Sequence, residues 1–175
     1  MADQHLELES FIRAIPDWPK PGILFRDITP LLANHDAYLA AVEALVVDYK
    51  DQGIAYVAAV EARGFIFGSA VAERLKAGFI PVRKKGKLPG QTESVTYDLE
   101  YGTDTLEVHV DAIKQREKVL LVDDLLATGG TMGAACTLIE KVGGDIAGIS
   151  FLIELQALSG RAKLGDHPIS TVITY

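Results

Sequence analysis

The sequence predicts an α/β protein built on an open, twisted, mainly parallel sheet of five strands with helices on both faces. Short apolar runs recur along the chain, at residues 54–60, 79–82, 118–122, 146–153 and 169–174. Such runs are typical of strands buried on both faces of a parallel sheet. Helical patterns separate most of them, and strands that alternate with helices form right-handed βαβ units. We therefore expect ligands at the carboxyl ends of the strands.

Length and composition predict one domain and exclude several classes of protein. The chain has 175 residues, of which 49% are hydrophobic and 23% charged, as in globular rather than disordered proteins. Its net charge of −7 argues against nucleic acid and anionic membrane as partners. The single cysteine cannot form an internal disulfide, and the acidic N-terminus does not resemble a signal peptide. We expect a soluble cytoplasmic protein.

The spacing of apolar residues also predicts the helices. They span residues 6–15, 36–52, 65–75 and 132–142. Pro16 ends the first of these, and Gly53 is placed to adopt the left-handed conformation after the second. Residues 95–101 and 105–110 instead alternate apolar and polar positions, which predicts an antiparallel hairpin. We interpret the hairpin as an excursion from the parallel core.

The strongest chemical signal is the segment 118–131, an apolar strand that ends in Asp123-Asp124 and continues through Ala127-Thr128-Gly129-Gly130-Thr131 into a helix. Glycines allow a close approach of the backbone to a ligand, and the N–H groups at a helix start bind phosphate. Two carboxylates would repel that phosphate but suit the vicinal hydroxyls of a ribose. The segment predicts a phosphoribosyl site. The alternative is a strand–turn–helix with acidic capping and no ligand.

Four other segments carry a functional and a structural interpretation. The basic run 83–90 fits the counter-charge for a pyrophosphate or a solvated loop. Arg63, after the first strand, fits a phosphate ligand or a surface residue at a helix start. Glu100, on the hairpin, fits a proton-exchanging group or an exposed turn. Phe25, in a Pro/Gly-rich loop, fits a surface for a base or core packing.

These segments together resemble a known family. Residues 119–131 look like the phosphoribosyl pyrophosphate (PRPP) motif of type I phosphoribosyltransferases. The full set, in order along nearly the whole chain, resembles the adenine phosphoribosyltransferases: Leu24–Asp27, Glu61–Phe65, Arg83–Gly90, Tyr97–Gly102 and Asp123–Thr131. The resemblance implies a single phosphoribosyltransferase domain over residues 1–175, with a hood at about 1–34, a core at about 35–175 and a flexible flap at about 83–110.

The resemblance also implies a role for each matching residue. The 5′-phosphate would be bound by Ala127, Thr128, Gly129, Gly130 and Thr131, and the ribose hydroxyls by Asp123 and Asp124. Pyrophosphate would be bound by Glu61, Ala62, Arg63, Lys84, Lys87 and Tyr101, with a cis peptide bond between Glu61 and Ala62. Adenine would be framed by Leu24, Phe25, Arg26 and Leu155. Glu100 and Arg63 would be the catalytic residues, with Glu100 as acid or base.

The implied reaction converts adenine and PRPP to AMP and pyrophosphate, as in purine salvage. Mg²⁺ would accompany PRPP and be held mainly by substrate and water rather than directly by protein, and the family implies a homodimer. One alternative is a regulatory protein that binds PRPP or nucleotides without turnover, against which the Glu100 flap and Arg63 argue. Another is a 6-oxopurine phosphoribosyltransferase, although the apolar segment around Leu24 and Phe25 suits an aminopurine. A receiver-like signalling domain has no use for the Thr128–Thr131 turn.

Overall fold

The computed structural model describes residues 7–98 and 102–175, and the chain forms two compact units, Met1–Ala44 and Leu45–Tyr175. In the first unit, a 3-10 turn at Leu8–Phe11 precedes two antiparallel strands, β1 (Arg13–Pro16) and β2 (Leu24–Asp27). A short helix α1 (Thr29–Ala33) follows, and then helix α2 (His35–Val46), whose last two residues belong to the second unit.

The predicted helix over residues 6–15 is wrong. Residues 8–11 form only a 3-10 turn, and residues 13–15 belong to β1, which pairs with β2 in a register that sets Arg13 opposite Asp27. The Arg13 guanidinium lies 2.8 Å from the Asp27 carboxylate, which also accepts a hydrogen bond from the Thr29 N–H. These pairings join residues about 14 positions apart, and such tertiary contacts override a weak local helical pattern.

The second unit is organised around a seven-stranded sheet. The strands are β3 (Tyr56–Val60), β4 (Gly78–Lys84), β5 (Thr92–Asp98), β6 (Thr103–His109), β7 (Lys118–Leu126), β8 (Asp145–Glu154) and β9 (Ile169–Thr174). They lie in the order β5-β6-β4-β3-β7-β8-β9. The five strands β4-β3-β7-β8-β9 are mutually parallel and contain the five apolar runs except for residues 54 and 55, which confirms the predicted parallel core.

Two helices of this unit cover opposite faces of the sheet. Helix α3 (Arg63–Leu75) sets Gly68 against Ala59 of β3. Helix α4 (Gly130–Lys141) buries Met132 in one apolar cluster with Ala58, the preceding residue of β3. Since successive side chains of a strand point to opposite faces, the two helices lie on different sides, as predicted.

The predicted five-stranded sheet and separate hairpin need a correction. Strand β6 pairs with the edge of β4, so that Lys84 lies opposite Leu106, and the hairpin extends the sheet to seven strands. The cause is apolar burial, because Leu106 and Val108 are fully buried in the main core cluster. Residues 99–101 of the predicted hairpin lie outside the described residues.

Helix α2 ends at Val46 rather than at residue 52, and Gly53 has the predicted positive φ of +70°. After Val46 the chain makes a tight turn, with the Tyr49 N–H bonded to the Val46 carbonyl. The Tyr49 ring lies against Gly148, and its hydroxyl is 3.1 Å from Ser170 Oγ. Within the described ranges, no helix combines the length and apolar character needed to span a bilayer.

Candidate active site

A cavity of about 260 Å³ lies at the carboxyl ends of β3 and β7. These neighbouring strands are parallel, so the segments that follow them meet at one edge of the sheet. Residues 60–63 and 123–132 line the cavity. The structure thereby brings together most of the predicted site: Glu61, Ala62, Arg63, Asp123, Asp124, Ala127, Thr128, Gly129, Gly130 and Thr131.

The turn between β7 and α4 has the form of an anion-binding loop. Gly129 is the residue before the first turn of α4 and has a φ of +78°, a conformation that L side chains rarely adopt. Gly129 has no side chain that could cap the helix, so it leaves the first N–H groups of α4 without the usual capping acceptor. The α4 dipole adds positive potential at the same place. An oxyanion of a phosphate matches this loop, which we call the phosphate loop (Ala127–Thr131).

The two acids at the end of β7 have different partners. Asp124 is buried, and its Oδ2 lies 2.9 Å from Arg63 Nε. Asp123 accepts a hydrogen bond of 2.9 Å from the Asp124 N–H. Withdrawal from water raises the pKa of both carboxyls; the neighbouring Asp124 charge raises that of Asp123 further, whereas Arg63 opposes the rise at Asp124. The acid pair therefore presents carboxylate oxygens to the cavity, where the hydroxyl groups of a ligand can donate hydrogen bonds to them.

The Glu61 carboxylate contacts the basic run 83–90, which we call the basic loop. Its Oε1 accepts a 2.7 Å hydrogen bond from the Lys84 N–H, and its Oε2 lies 3.3 Å from the Arg83 guanidinium. Burial acts to raise the pKa of Glu61, but the bonds from Lys84 and Arg83 outweigh it and leave that pKa lowered. The Glu61–Ala62 peptide bond is cis, as the family resemblance implied. Glu61 thus joins the end of β3 to the start of the basic loop.

Two lysines of the basic loop, Lys84 and Lys87, are not among the residues that line the cavity. The Lys84 ammonium lies 3.0 Å from Asp104 Oδ2 on β6, and the Lys87 carbonyl accepts a hydrogen bond from Arg83. A further backbone bond joins the Gly86 N–H to the buried Glu107 carboxylate at 2.9 Å. The loop is therefore held by Glu61, which follows β3, and by acidic residues of β6, and the pyrophosphate role of both lysines stays a prediction.

The hairpin contacts the phosphate loop through a residue that the sequence reasoning did not select as a site residue. The Thr131 hydroxyl lies 3.3 Å from the Tyr97 hydroxyl on β5. A Cβ at Gly130 would be 3.4 Å from the Asp98 carbonyl oxygen. Tyr97 belongs to an alternating strand and to the resembling segment Tyr97–Gly102, but neither signal identifies its partner.

The remaining predicted residues lie elsewhere in the chain. Leu24, Phe25 and Arg26 are on β2 of the first unit, where the Phe25 ring lies 4.5 Å from that of Trp18 between centroids. Leu155 follows β8, and its N–H is bonded to the Leu126 carbonyl at 2.9 Å, although it does not line the cavity. Glu100 and Tyr101 lie outside the described residues. The adenine and acid–base roles of these residues stay predictions.

Comparisons with known proteins match this fold and show the family. Residues 31–171 match the family model described as phosphoribosyl transferase domain. A protein of Rhodopirellula baltica named adenine phosphoribosyltransferase is 56% identical over 172 residues, which is 98% of this chain and 84% of that protein. A crystal structure of adenine phosphoribosyltransferase from Rhodothermus marinus has a TM-score of 0.91 and 50% identity, covering 96% of each chain.

A third comparison adds a structure with bound ligands. The Saccharomyces cerevisiae adenine phosphoribosyltransferase, in a complex with adenine and an imino-altritol bisphosphate, has a TM-score of 0.90 and 38% identity. It covers 95% of this chain, and this chain covers 96% of it. The parallel core, the acid pair and the phosphate loop thus occur in a chain that belongs to the adenine phosphoribosyltransferase family.

Proposed function

We propose that this chain transfers the 5-phosphoribosyl group of PRPP to N9 of adenine, giving AMP and pyrophosphate in purine salvage. The observation that carries the proposal is the cavity in which the acid pair Asp123-Asp124 and the phosphate loop lie side by side. Carboxylates suit the hydroxyl groups of a ribose, and a glycine turn at a helix start suits its 5′-phosphate. The bound adenine of the yeast relative supports adenine as the acceptor.

The phosphate loop binds the 5′-phosphate of PRPP through backbone N–H groups and the hydroxyls of Thr128 and Thr131. Asp123 and Asp124 accept hydrogen bonds from the ribose hydroxyls. Both carboxyls have raised pKa values because they are withdrawn from water. A nearby cation favours their ionised form, which accepts hydrogen bonds at both oxygens. Arg63, 2.9 Å from Asp124, is such a cation and faces the same cavity.

Arg63 also stabilises the leaving pyrophosphate. Breakage of the bond at C1 of the ribose places negative charge on the leaving group and positive charge on the sugar. The Arg63 guanidinium stabilises the negative charge on the leaving pyrophosphate. The carboxylates of Asp123 and Asp124 stabilise the positive charge on the sugar. Lys84 and Lys87 add positive charge from the basic loop, and Glu100 exchanges the proton of the purine imidazole.

Mg²⁺ fits this donor set as a companion of the substrate. Mg²⁺ binds oxygen donors and usually keeps several waters, so it would be held mainly by oxygens of PRPP and by water. The acid pair Asp123-Asp124 adds negative charge at the same cavity, which favours a cation there. When bound, the ion supplies charge neutralisation on the pyrophosphate.

Two further predicted roles belong to the proposal. The hairpin over residues 83–110 covers the cavity during turnover and excludes water, which would otherwise hydrolyse the activated ribose. Leu24, Phe25, Arg26 and Leu155 frame the base. The enzyme works as a homodimer in the cytoplasm.

The experiment that tests this function is incubation with PRPP, Mg²⁺ and single purines, with pyrophosphate release as the measurement. We expect turnover with adenine and none with guanine or hypoxanthine. Turnover with the 6-oxopurines instead would identify the other class of transferase. Uptake of PRPP by calorimetry without turnover of any purine would identify a regulatory binding protein. The absence of PRPP uptake by folded protein would contradict the proposed site itself.

A further inference from the structure

The segment after β8 packs directly against the phosphate loop. Two short helical turns, Gln156–Leu158 and Gly160–Lys163, form this segment, and Gly160 is buried. A Cβ at Gly160 would collide with the Ala127 carbonyl oxygen and would lie 3.1 Å from the Gly129 nitrogen. Conversely, a Cβ at Gly129 would collide with the Gly160 carbonyl. Two backbones therefore touch at a point where only glycine fits on either side.

The same segment touches the first turn of α4. A Cβ at Gly133 would lie 3.1 Å from the Lys163 carbonyl oxygen. Backbone N–H groups of the phosphate loop and of this helical turn are the donors offered to a phosphate. The segment Gln156–Lys163 thus supports both sources of those donors from behind their backbone.

A paired ion contact holds the segment in place. Arg161 donates from Nε to Glu154 Oε1 at 2.7 Å and from a terminal nitrogen to Oε2 at 2.6 Å. That terminal nitrogen also lies 3.2 Å from Thr171 Oγ1 on β9. Glu154, the last residue of β8, is 5% exposed. The hydrogen bonds between them lower the pKa of Glu154 and raise that of Arg161, so both groups stay charged near neutral pH.

Such two-point pairs fix direction as well as distance. The Leu155 N–H, bonded to the Leu126 carbonyl at 2.9 Å, fixes the beginning of the segment to the end of β7. The segment is therefore held at its start by β7 and near its end by β8 and β9. Gly160 lies between these anchors, against the phosphate loop.

We propose that Gly160 and the Glu154–Arg161 pair are positioning residues that hold the phosphate loop in its binding conformation and so set its affinity for the 5′-phosphate. The inference rests on the proposed role of the phosphate loop. A displacement of about 1 Å is enough to weaken hydrogen bonds from preorganised donors. Loss of the contact that supports the loop therefore lowers the affinity for ligands that carry the 5′-phosphate and leaves the binding of free adenine unchanged.

The test compares Gly160→Ala, Arg161→Gln and Glu154→Gln with the native enzyme. Calorimetry measures AMP affinity, and initial rates give the KM values for PRPP and for adenine. We expect AMP affinity to fall, and the KM for PRPP to rise, about tenfold or more in Gly160→Ala. The KM for adenine stays within about twofold. Arg161→Lys, which keeps the charge but loses the paired geometry, should lose less affinity than Arg161→Gln.

Gly148→Ala is the matched control for simple loss of stability. A Cβ there would lie 2.6 Å from the Tyr49 ring, in the part of β8 far from Glu154 along the strand. We expect a lowered Tm with unchanged AMP affinity. If Gly148→Ala lowers AMP affinity as much as Gly160→Ala does at an equal loss of Tm, the role of Gly160 is only structural and the proposal is overturned. Should Gly160→Ala fail to fold, the Arg161 and Glu154 variants decide the question in the same way.

Thr128→Ala and Thr131→Val separate this inference from the function on which it rests. Weaker AMP binding in these two variants, with native affinity in the Gly160, Arg161 and Glu154 variants, overturns the positioning role alone. Native AMP affinity in the two threonine variants as well would contradict the proposed role of their hydroxyls, and no AMP binding by the folded native protein would contradict the phosphate loop itself.

Discussion

Arg63 and Asp124 form an ion pair inside the cavity, with 2.9 Å between Arg63 Nε and Asp124 Oδ2. The two side chains differ in exposure: that of Arg63 is 41% exposed and that of Asp124 is 6% exposed. The buried acid therefore orients the exposed guanidinium. The pair joins the start of α3 to the end of β7, so it links the proposed pyrophosphate and ribose positions through one contact.

Arg63→Ala should raise the apparent KM for PRPP about tenfold or more, because it removes a phosphate donor and leaves Asp124 buried without its cation. Arg63 lowers the pKa of Asp124, so its loss raises that pKa further. The acid limb of the pH–rate profile should move to higher pH. Steady-state kinetics over a pH series measure both effects.

Arg74→Ala is the control for this variant. Arg74 is on the same helix, α3, in an exposed pair with Glu73 at 3.4 Å, outside the cavity. We expect native kinetics, since exposed pairs contribute little. Normal kinetics in Arg63→Ala would remove Arg63 from pyrophosphate binding.

Asp123→Asn should stabilise the fold at neutral pH even though it damages activity. The pKa of Asp123 is raised in the folded state, so the folded protein binds more protons than the unfolded chain between the ordinary carboxyl pKa of 3.8 and the raised value. Stability contributed by this group therefore falls as pH rises through that window and stays lowered above it. Asparagine stays neutral and escapes the loss, and its Oδ1 can still accept the Asp124 N–H bond.

Urea unfolding at pH 7.5 and at about pH 4 measures this difference. The gain in the free energy of unfolding should be larger at the higher pH and should shrink on acidification. Asp166→Asn, at an exposed position after β8, is the control and should change stability little at either pH. An Asp123→Asn protein that is less stable than native at pH 7.5 would contradict the prediction.

Tyr97→Phe should raise the KM for PRPP about threefold to tenfold, because it removes one hydrogen-bond partner of Thr131. The KM for adenine should not change. Thr105→Val serves as the control, since it deletes a hydroxyl of the same hairpin that bonds to Thr96 at 2.9 Å rather than to the phosphate loop. Equal kinetic effects of both substitutions would show that the hairpin responds to any lost hydroxyl, against a specific role for Tyr97.

Local patterns predicted the parallel core and the phosphate loop, because both depend on residues that are close in sequence. The apolar run that ends at Asp123 predicts a buried strand, and the glycines after it predict a turn, without reference to distant residues. The pairing of β6 with β4 depends on a distant edge, with Glu107 opposite Arg83, and alternation alone does not specify that partner. The contact between Gly129 and Gly160 is of the same kind, since a glycine in a loop gives no sign of what approaches it.

Glu100→Gln should lower kcat at least about tenfold while PRPP affinity, measured by calorimetry, stays native. The reason is that glutamine keeps the size of the side chain but cannot exchange a proton with the purine imidazole. Glu93→Gln is the matched control, since Glu93 is an exposed acid on β5 and its substitution should leave kcat unchanged. If kcat of Glu100→Gln equals that of the native enzyme, Glu100 is not the acid or base, and the proton of adenine must leave through solvent or another group.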